Sequence, residues 1–497
     1  MGNKLRRFAL ALAILIMCTG CNSSGPSEIV IDPNGAISST DIYSSSSSLS
    51  SSSFSSSSST TSSSSSGAGW SSSSSSSTSA ESISTDTSDT SEPESIPESS
   101  EYLTESSEES AGTSETYEPP EETSGEYSEP DSSSSTYSEP PSEPEPPAPP
   151  VEPDDSIQHI ISQMTLKERV YQLFFVRPEQ VSGSGYAETS AVDLSYKPVG
   201  GIICMGANLE SVEQTRQMLA EMQESAMRNG IGVFIAVDEE GGRVARCAKN
   251  LGTTAFDDMA VYGARNNSNE AYDIGRTIGA DIRSLGFNVD FAPVADVDIS
   301  PTNELGSRIF SSDPYVVANM VSNIVRGLNS SGVAATLKHF PGLGAEDGNS
   351  HTASEIIIDR TLDQLRSEEF VPFRSGIQSG ADFVMVGHQQ VTAFGDELPA
   401  DLSYTAVTKT LRGELGFNGI AITDAQEMNT ISNLYYSRTA AVMAVNAGID
   451  MILSPEDFDD AVDGVYNAVL SGAISEERLN ESVTRILTIK QKMGLLP

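Results

Sequence analysis

The stretch VAATLKHFPGLG, residues 333–344, joins a continuous apolar run to polar residues at its end. An uninterrupted apolar run is typical of a strand that is covered on both faces. Seven further runs share this character: YQLFFV (171–176), VGGIICM (199–205), GVFIAVD (232–238), FNVDFAP (287–293), FVMVGH (383–388), GIAITD (419–424) and DMILSP (450–455). Amphipathic stretches separate the runs, and TLKE (165–168) and TLDQ (361–364) are capping boxes that open two helices. Eight strands alternating with helices predict an α/β fold, a (β/α)8 TIM-type barrel rather than an open sheet.

Polar residues gather where these runs end. In such a barrel the active site lies at the carboxyl ends of the strands, so polar residues there are the informative ones. A single carboxylate or histidine at a strand end is usually a helix cap or a satisfied core residue, but convergence at one barrel mouth predicts a functional site. The residues predicted to converge are Asp238, Glu240, Arg243, Arg246, Asp290, Lys338, His339, His388, Asp424 and Asp450.

The first 21 residues are predicted to be a lipoprotein signal peptide. Three basic residues precede an apolar run at positions 8–17, which is too short to span a bilayer. The CTGC segment that follows (18–21) resembles a bacterial lipobox, in which Cys21 would be lipidated. An ordinary secretory signal, cleaved without lipidation, is the alternative. The sequence therefore predicts an extracytoplasmic protein that is anchored to the cell membrane through Cys21.

Residues 22–155 are predicted to form a long disordered tether. The segment is rich in serine and then in Pro and Glu, with 26 acidic residues and no Lys or Arg. So little apolar surface cannot offset the entropy of ordering the chain. A solubilising spacer without a specific partner is the alternative to a tether that lifts a domain from a membrane. Residues 156–497 remain as one predicted barrel, whose 44 acidic and 25 basic residues argue against nucleic acid as a partner.

Metal and disulfide chemistry have little support in the sequence. Cys204 and Cys247 are predicted to be two buried thiols, because no cysteine spacing typical of a metal site is present. A zinc site built from His339, His351 and Asp347 would match no usual ligand spacing. We therefore expect no metal and no cofactor, and a single short barrel predicts a monomer.

Several motifs resemble the single-domain bacterial β-N-acetylglucosaminidases (β-N-acetylhexosaminidases) of glycoside hydrolase family 3. The resemblance extends from TLKERVYQLFFV (165–176) to the C-terminal ERLNESVTRILTIKQKMGLL (477–496). Its most specific parts occur in the order of the family: VDEEGGRVAR (237–246), LGFNVDFAPVADV (285–297), GSRIFSSDP (306–314), KHFPGLG (338–344), NSH (349–351) and GIAITDAQEM (419–428).

The resemblance implies roles for particular residues within these motifs. Asp424 is the expected nucleophile and His351 the expected acid/base of a retaining hydrolase acting on terminal β-linked N-acetylglucosamine. The expected substrate is a peptidoglycan fragment or a chito-oligosaccharide. Residues expected to bind the sugar are Asp238, Arg246, Arg308, Lys338 and His339, and those expected to support the site are Glu240 and Asn349.

The chain departs from the family pattern at two positions. Leu343 replaces the histidine of the common PGHG motif, and Asn349 replaces the aspartate that normally supports the catalytic histidine. Asn349 can orient the ring but brings no charge, so Glu346, Asp347 or Glu355 would have to compensate. Three other activities stay open: phosphorolysis of the same linkage, β-glucosidase activity, and sugar binding by a wall-associated lipoprotein without catalysis.

Overall fold

A computed structural model of the chain describes residues 155–182, 192–346 and 355–497. The signal peptide, Cys21 and all of the predicted tether except Asp155 lie outside these residues. All eight predicted strands are present, and their bounds are β1 Phe174–Val176, β2 Gly201–Ile203, β3 Phe234–Val237, β4 Val289–Asp290, β5 Ala334–Phe340, β6 Phe383–Val386, β7 Ile420–Thr423 and β8 Ile452–Leu453.

The eight strands form one parallel sheet that closes on itself. Hydrogen-bonded neighbours follow the order β7-β6-β5-β4-β3-β2-β1-β8, and every pair is parallel. A parallel bridge between Ile422 and Met451 joins the two ends of this order, and the amide of Thr423 donates to the carbonyl of Met451 at 3.1 Å. The predicted (β/α)8 barrel is therefore confirmed.

Helices surround the barrel. Both predicted capping boxes are formed, by Thr165 with Glu168 at the start of α2 and by Thr361 with Gln364 at the start of α9. A π-helix, Thr405–Glu414, lies between β6 and β7. The α-helices are α1 Asp155–Gln163, α2 Leu166–Gln172, α3 Pro178–Ser182, α4 Val212–Met227, α5 Arg246–Leu251, α6 Met259–Arg265, α7 Ser268–Leu285, α8 Pro314–Ser330, α9 Leu362–Ser367, α10 Phe370–Gln378, α11 Asn429–Ser432, α12 Ser437–Ala447, α13 Phe458–Leu470 and α14 Glu476–Lys492.

The core is built from the continuous apolar runs. Every residue of the eight strands is buried. Aromatic side chains from different strands or strand ends meet there: the rings of Phe234 and Phe383 are 5.2 Å apart and edge-on, and those of Phe175 and Phe291, the residue after β4, are also 5.2 Å apart. Burying large rings in this way supplies much of the apolar stabilisation of the barrel.

The C-terminal helix α14 and the residues after it run across the amino-terminal end of the barrel. Lys492 pairs with Asp382 (2.6 Å), just before β6, and Lys490 donates to Gln172 (2.7 Å), just before β1. The carbonyl of Leu495 accepts from the amide of Gly232 (2.8 Å), just before β3. The first helix packs on α14 at the same end of the barrel, where Gln491 donates to Ser156 (3.2 Å).

Asp450 does not lie at the barrel mouth, and that prediction was wrong. The residue precedes β8 instead of following it, so its side chain lies at the amino-terminal end of the barrel. It is fully buried and binds the guanidinium groups of Arg412, Arg478 (3.4 Å) and Arg485 (3.1 Å). Burial opposes ionisation, but these three cations lower the pKa of Asp450 to about 2. Asp450 is therefore a structural anion.

Two further observations bear on the sequence predictions. Cys204 and Cys247 are buried free thiols, as predicted. Of the helices in residues 155–182, 192–346 and 355–497, none combines the length and apolar character that a membrane crossing requires.

Candidate active site

A cavity of about 420 Å³ opens at the carboxyl ends of the strands. It contains the predicted nucleophile and every residue predicted to bind sugar. The members of the predicted site that line it are Asp238, Glu240, Arg246, Arg308, Lys338, His339 and Asp424. The remaining two, His351 and Asn349, lie outside the described residues, so their roles stay predictions.

Five of these side chains form a continuous network of alternating charge. Lys338 lies at its centre, with Nζ 2.9 Å from Asp238 and 2.6 Å from Glu240. Asp238 also accepts from Arg246 at 2.8 and 3.2 Å. Glu240 also accepts two hydrogen bonds from Arg308, at 2.8 and 2.7 Å. Two carboxylates and three cations are thereby fixed in one wall of the cavity.

The network keeps its members ionised despite their burial. Burial alone would raise the pKa of Asp238, but Lys338 and Arg246 hold it well below its usual value. In the same way Lys338 and Arg308 lower the pKa of Glu240. Burial would lower the pKa of Lys338, but the two carboxylates raise it. Fixed charged groups of this kind form strong, directional hydrogen bonds to neutral hydroxyls.

A short hairpin brings Arg246 back over Asp238. The segment Glu239–Gly241 pairs with Val244–Ala245 in antiparallel fashion. The turn between them needs positive φ at Gly241 (91°) and Gly242 (56°), a conformation that glycine adopts without strain. Helix α5 then begins at Arg246. The sequence DEEGGRVAR (238–246) therefore places Asp238 and Arg246, which form an ion pair, together in the cavity.

Hydrogen bonds to Arg243 and Asp258 hold the loop that carries Arg308 in position. The guanidinium of Arg243 donates to the carbonyl of Glu304 at 2.9 Å and also to that of Leu305. Ser307 donates to Asp258 at 2.6 Å, and Asp258 also accepts from the amide of Arg243 at 3.0 Å. Arg243, which we predicted at the mouth as a possible site residue, thus holds the Arg308 loop in position.

His339 is oriented by Asp296, a residue that the sequence reasoning did not assign. Nδ1 of His339 lies 2.8 Å from Asp296, and its own backbone amide donates to the same carboxylate at 3.0 Å. The other oxygen of Asp296 accepts from the amide of Leu343 at 2.6 Å. Among the described residues Nε2 of His339 has no hydrogen-bond partner, so this atom is available to a ligand. Leu343 itself lines the cavity.

Asp424 follows β7 and lines the same cavity as the charged network. Its amide donates to the carbonyl of Val386 on β6 (2.8 Å), and its carboxylate accepts from the amide of Ala425 (2.7 Å). The next residues are fixed to β8, since the amide of Gln426 donates to Leu453 at 2.9 Å. Burial alone would raise the pKa of Asp424, but the nearby His339 and His388 lower it. The geometry therefore presents a rigidly held carboxylate to the cavity.

Arg177 and Glu427 also line the cavity, and the sequence reasoning missed both. Arg177 follows β1 and forms ion pairs with Glu179 (2.7 Å) and with Glu427. Apolar side chains complete the wall: Ile203, Met205, Phe291, Met385, Met428 and Leu453. The cavity thus combines charged groups with an apolar surface, a combination suited to a sugar that carries an acyl group.

The zinc alternative can be compared only with the described part of the chain. Within it, no group of three or more His, Cys, Asp and Glu side chains is arranged to hold a metal ion. Two of the three residues of the zinc alternative, His351 and Asp347, lie outside that part.

Three comparisons with known proteins agree with this geometry. The Beta-hexosaminidase A of Pseudoalteromonas piscicida is 30% identical over 326 residues, which are 60% of this chain and 54% of that protein. The Beta-hexosaminidase of Idiomarina loihiensis is 35% identical over 306 residues, 61% of this chain and 89% of that protein. A solved glycoside hydrolase family 3 beta-N-acetylglucosaminidase from Paenibacillus sp. str. FPU-7 is 37% identical, with a TM-score of 0.63 over 67% of this chain and 63% of that chain.

The chain thus spans about half the length of the first relative and most of the second. The profile of the glycosyl hydrolase family 3 N-terminal domain matches residues 165–489, well over half of the chain. With the barrel and the placement of the predicted site residues, this match shows that the chain belongs to glycosyl hydrolase family 3 and is a glycoside hydrolase.

Proposed function

We propose that the protein hydrolyses terminal, non-reducing β-linked N-acetyl-D-hexosamine residues by a retaining double displacement. The observation that carries the proposal is the position of Asp424, an ionised and rigidly held carboxylate that lines the same cavity as the Lys338 network. The family relationship, and relatives named as beta-hexosaminidases, support the choice of sugar.

In the first step Asp424 attacks C1 of the sugar and the bond to the leaving oxygen breaks. That oxygen takes a proton, and His351 is the proposed donor. In the second step His351 removes a proton from water, the water oxygen attacks C1, and Asp424 leaves as a carboxylate. Hydroxyl groups of the sugar bind to Asp238, Lys338 and their partners, so that C1 is held against Asp424 throughout.

Paired aryl glycosides test the proposal on the full-length chain. We expect turnover of aryl β-N-acetylglucosaminide to exceed that of the matched aryl β-glucoside, and Asp424→Ala to abolish both without unfolding the protein. Asp424→Asn is the matched control, because it keeps the shape of the side chain and removes only its charge. Equal rates on both glycosides would favour β-glucosidase activity instead. More than about a tenth of wild-type activity in Asp424→Ala would remove Asp424 from the nucleophile role.

Product analysis separates hydrolysis from the other two alternatives. With phosphate present, hydrolysis releases the free sugar, whereas phosphorolysis releases a sugar 1-phosphate. Binding of N-acetylglucosamine without turnover of any glycoside would indicate a sugar-binding lipoprotein. Peptidoglycan fragments and chito-oligosaccharides are the substrates that we propose, and their release products identify which one the protein prefers.

We also propose that the protein is anchored at the outer side of the membrane by lipid on Cys21, with residues 22–155 as its tether. One structural observation supports the use of such a tether. The described chain begins at helix α1, which packs at the amino-terminal end of the barrel, whereas Asp424 lies at the carboxyl end. Residues 22–155 would therefore join the barrel at the end opposite the cavity.

Membrane fractionation tests the anchor. We expect Cys21→Ser to be released to the medium or to keep its signal peptide, with unchanged specific activity on soluble aryl substrates. Unchanged processing and membrane retention in this variant would contradict lipidation at Cys21.

A further inference from the structure

His388 lies buried behind the nucleophile, between that residue and a second carboxylate. It lies two residues after the end of β6, and only 4% of it is exposed. Its Nε2 lies 3.0 Å from the carbonyl oxygen of Ala425, the residue next to Asp424. Its Nδ1 lies 3.2 Å from Asp401. The ring therefore connects Asp401 to the turn that carries the nucleophile.

These two contacts indicate which protons the ring carries. A carbonyl oxygen only accepts, so Nε2 must carry a proton. Asp401 is fully buried beside Nδ1, where a carboxylate favours a second proton on the ring. Asp401 is itself fixed, because its amide donates to the carbonyl of Gly387 (3.2 Å) and its carboxylate accepts from Gln426 (3.3 Å). The contacts therefore suit a buried ring that donates from Nε2 to Ala425 and places Nδ1 beside the Asp401 carboxylate.

We propose that His388 is a positioning residue for the nucleophile, whose imidazolium fixes the turn after Asp424 and favours the carboxylate form of Asp424. The inference rests on the proposed function of Asp424. The basic groups that face Asp424 are His339 and Lys338 from β5 and His388 after β6. The anions that face His388 are Asp401 and Asp424 itself.

The electrostatics agree with this assignment. Burial alone would lower the pKa of His388, but Asp401 and then Asp424 raise it to about 9. The ring therefore stays charged across the pH range in which a glycosidase of this kind is assayed. Its charge in turn contributes to lowering the pKa of Asp424.

A positive charge next to Asp424 affects the two chemical steps differently. In the second step the bond between C1 and Asp424 breaks, and the carboxylate regains its negative charge. A neighbouring cation stabilises that developing charge and so accelerates the second step. In the first step the carboxylate loses charge, and the same cation gives no such advantage. Loss of the charge should therefore slow the second step more than the first.

His388→Gln separates the charge from the hydrogen bond, because glutamine can still donate to Ala425 but cannot ionise. On an aryl β-N-acetylglucosaminide with a good leaving group, we expect kcat to fall about tenfold or more. We expect KM to fall with it, because the glycosyl-enzyme accumulates. The acidic limb of kcat/KM should move upward by about one pH unit, since Asp424 loses a neighbouring cation.

Asp401→Asn is the second variant, and it keeps the ring while removing the counter-charge. It should shift the acidic limb in the same direction by a smaller amount. An unchanged kcat and acidic limb in His388→Gln would overturn the proposal. So would a rise in KM with kcat unchanged, which would indicate a role in binding alone.

The wild-type protein supplies a test that does not depend on activity. The chain has only four histidines, so ¹⁵N-histidine labelling gives few signals to separate. At pH 7.5 we expect both ring nitrogens of His388 to carry protons, a signal identified by its loss in His388→Gln or by its shift in Asp401→Asn. A neutral ring would overturn the proposal even if Asp424→Ala is inactive. Full activity of Asp424→Ala would refute the proposed function instead and leave this protonation result unaffected.

Discussion

Lys490 gives the most quantitative prediction, because this lysine is fully buried. Its Nζ donates to Gln172 at 2.7 Å and lies 5.2 Å from the centre of the Phe234 ring. Among the described residues no carboxylate is within ion-pair distance of it. Burial lowers the pKa of Lys490 from 10.5 to about 7. The structure therefore makes protonation of Lys490 costly in the folded state.

Proton linkage gives the size and the sign of the effect of Lys490 on the free energy of unfolding. A fall from 10.5 to about 7 corresponds to about 5 kcal/mol, at about 1.4 kcal/mol per pKa unit. Between these pH values the unfolded chain binds the proton and the folded chain does not, so the free energy of unfolding rises with pH. The cost of Lys490 is largest below pH 7 and disappears above pH 10.5.

Lys490→Met removes the titrating group and keeps a flexible apolar side chain of similar length. We expect it to stabilise the protein by several kcal/mol at pH 6. The gain should shrink as the pH rises and reach zero or reverse by pH 10, because Gln172 then lacks its partner and that costs about 1–3 kcal/mol. Urea unfolding of both proteins at pH 6, 8 and 10 measures the difference. A difference that does not depend on pH would refute the reasoning.

Three further predictions concern the site and the thiols. Glu240→Ala should cost about 3–5 kcal/mol of stability and most of the activity, since it leaves Lys338 and Arg308 buried with one partner fewer; a loss below about 1 kcal/mol in urea unfolding would contradict the network. Asn349→Asp should raise turnover of disaccharides and move the alkaline limb of the pH profile upward by up to about one unit, because a carboxylate favours the charged form of His351; unchanged pH profiles would mean that another carboxylate already does this. Cys204 and Cys247 should resist thiol reagents in the native protein and react in denaturant, since both are buried and burial raises the pKa of Cys204 to about 12; peptide mapping that finds either one labelled in the native state would contradict their burial.

The barrel could be predicted from the sequence because its signal is local and repeated. Each strand appears as a continuous apolar run, and each helix as an amphipathic stretch with recognisable caps. For the same reason, the polar residues at the ends of the third, fifth and seventh runs could be assigned to the mouth of the barrel, at the carboxyl ends of its strands. Asp450 was misplaced because it precedes its strand, and in a parallel barrel the mouth is formed by residues at or after the carboxyl ends of the strands.

The partners of the site residues could not be predicted in this way. Asp296 orients His339 from the loop after β4, and Asp401 meets His388 within the long connection after β6. Such contacts depend on which loops lie next to one another in the folded protein. The periodicity of the sequence predicts helices and strands but does not predict contacts between loops. Arg177 was missed for a related reason, since a charged residue after β1 gives no sign of its pairing with Glu427.

The most direct test of the central claim is to identify the residue that becomes covalently attached to the sugar. A 5-fluoro glycosyl fluoride of the N-acetylglucosamine type slows the second step and traps the glycosyl-enzyme. The full-length protein is treated with this reagent and digested, and the labelled peptide is sequenced by mass spectrometry. We predict one sugar per chain, attached to Asp424 in the peptide that contains ITDAQEM. A label on any other residue, or complete inactivation without a covalent adduct, would contradict the account.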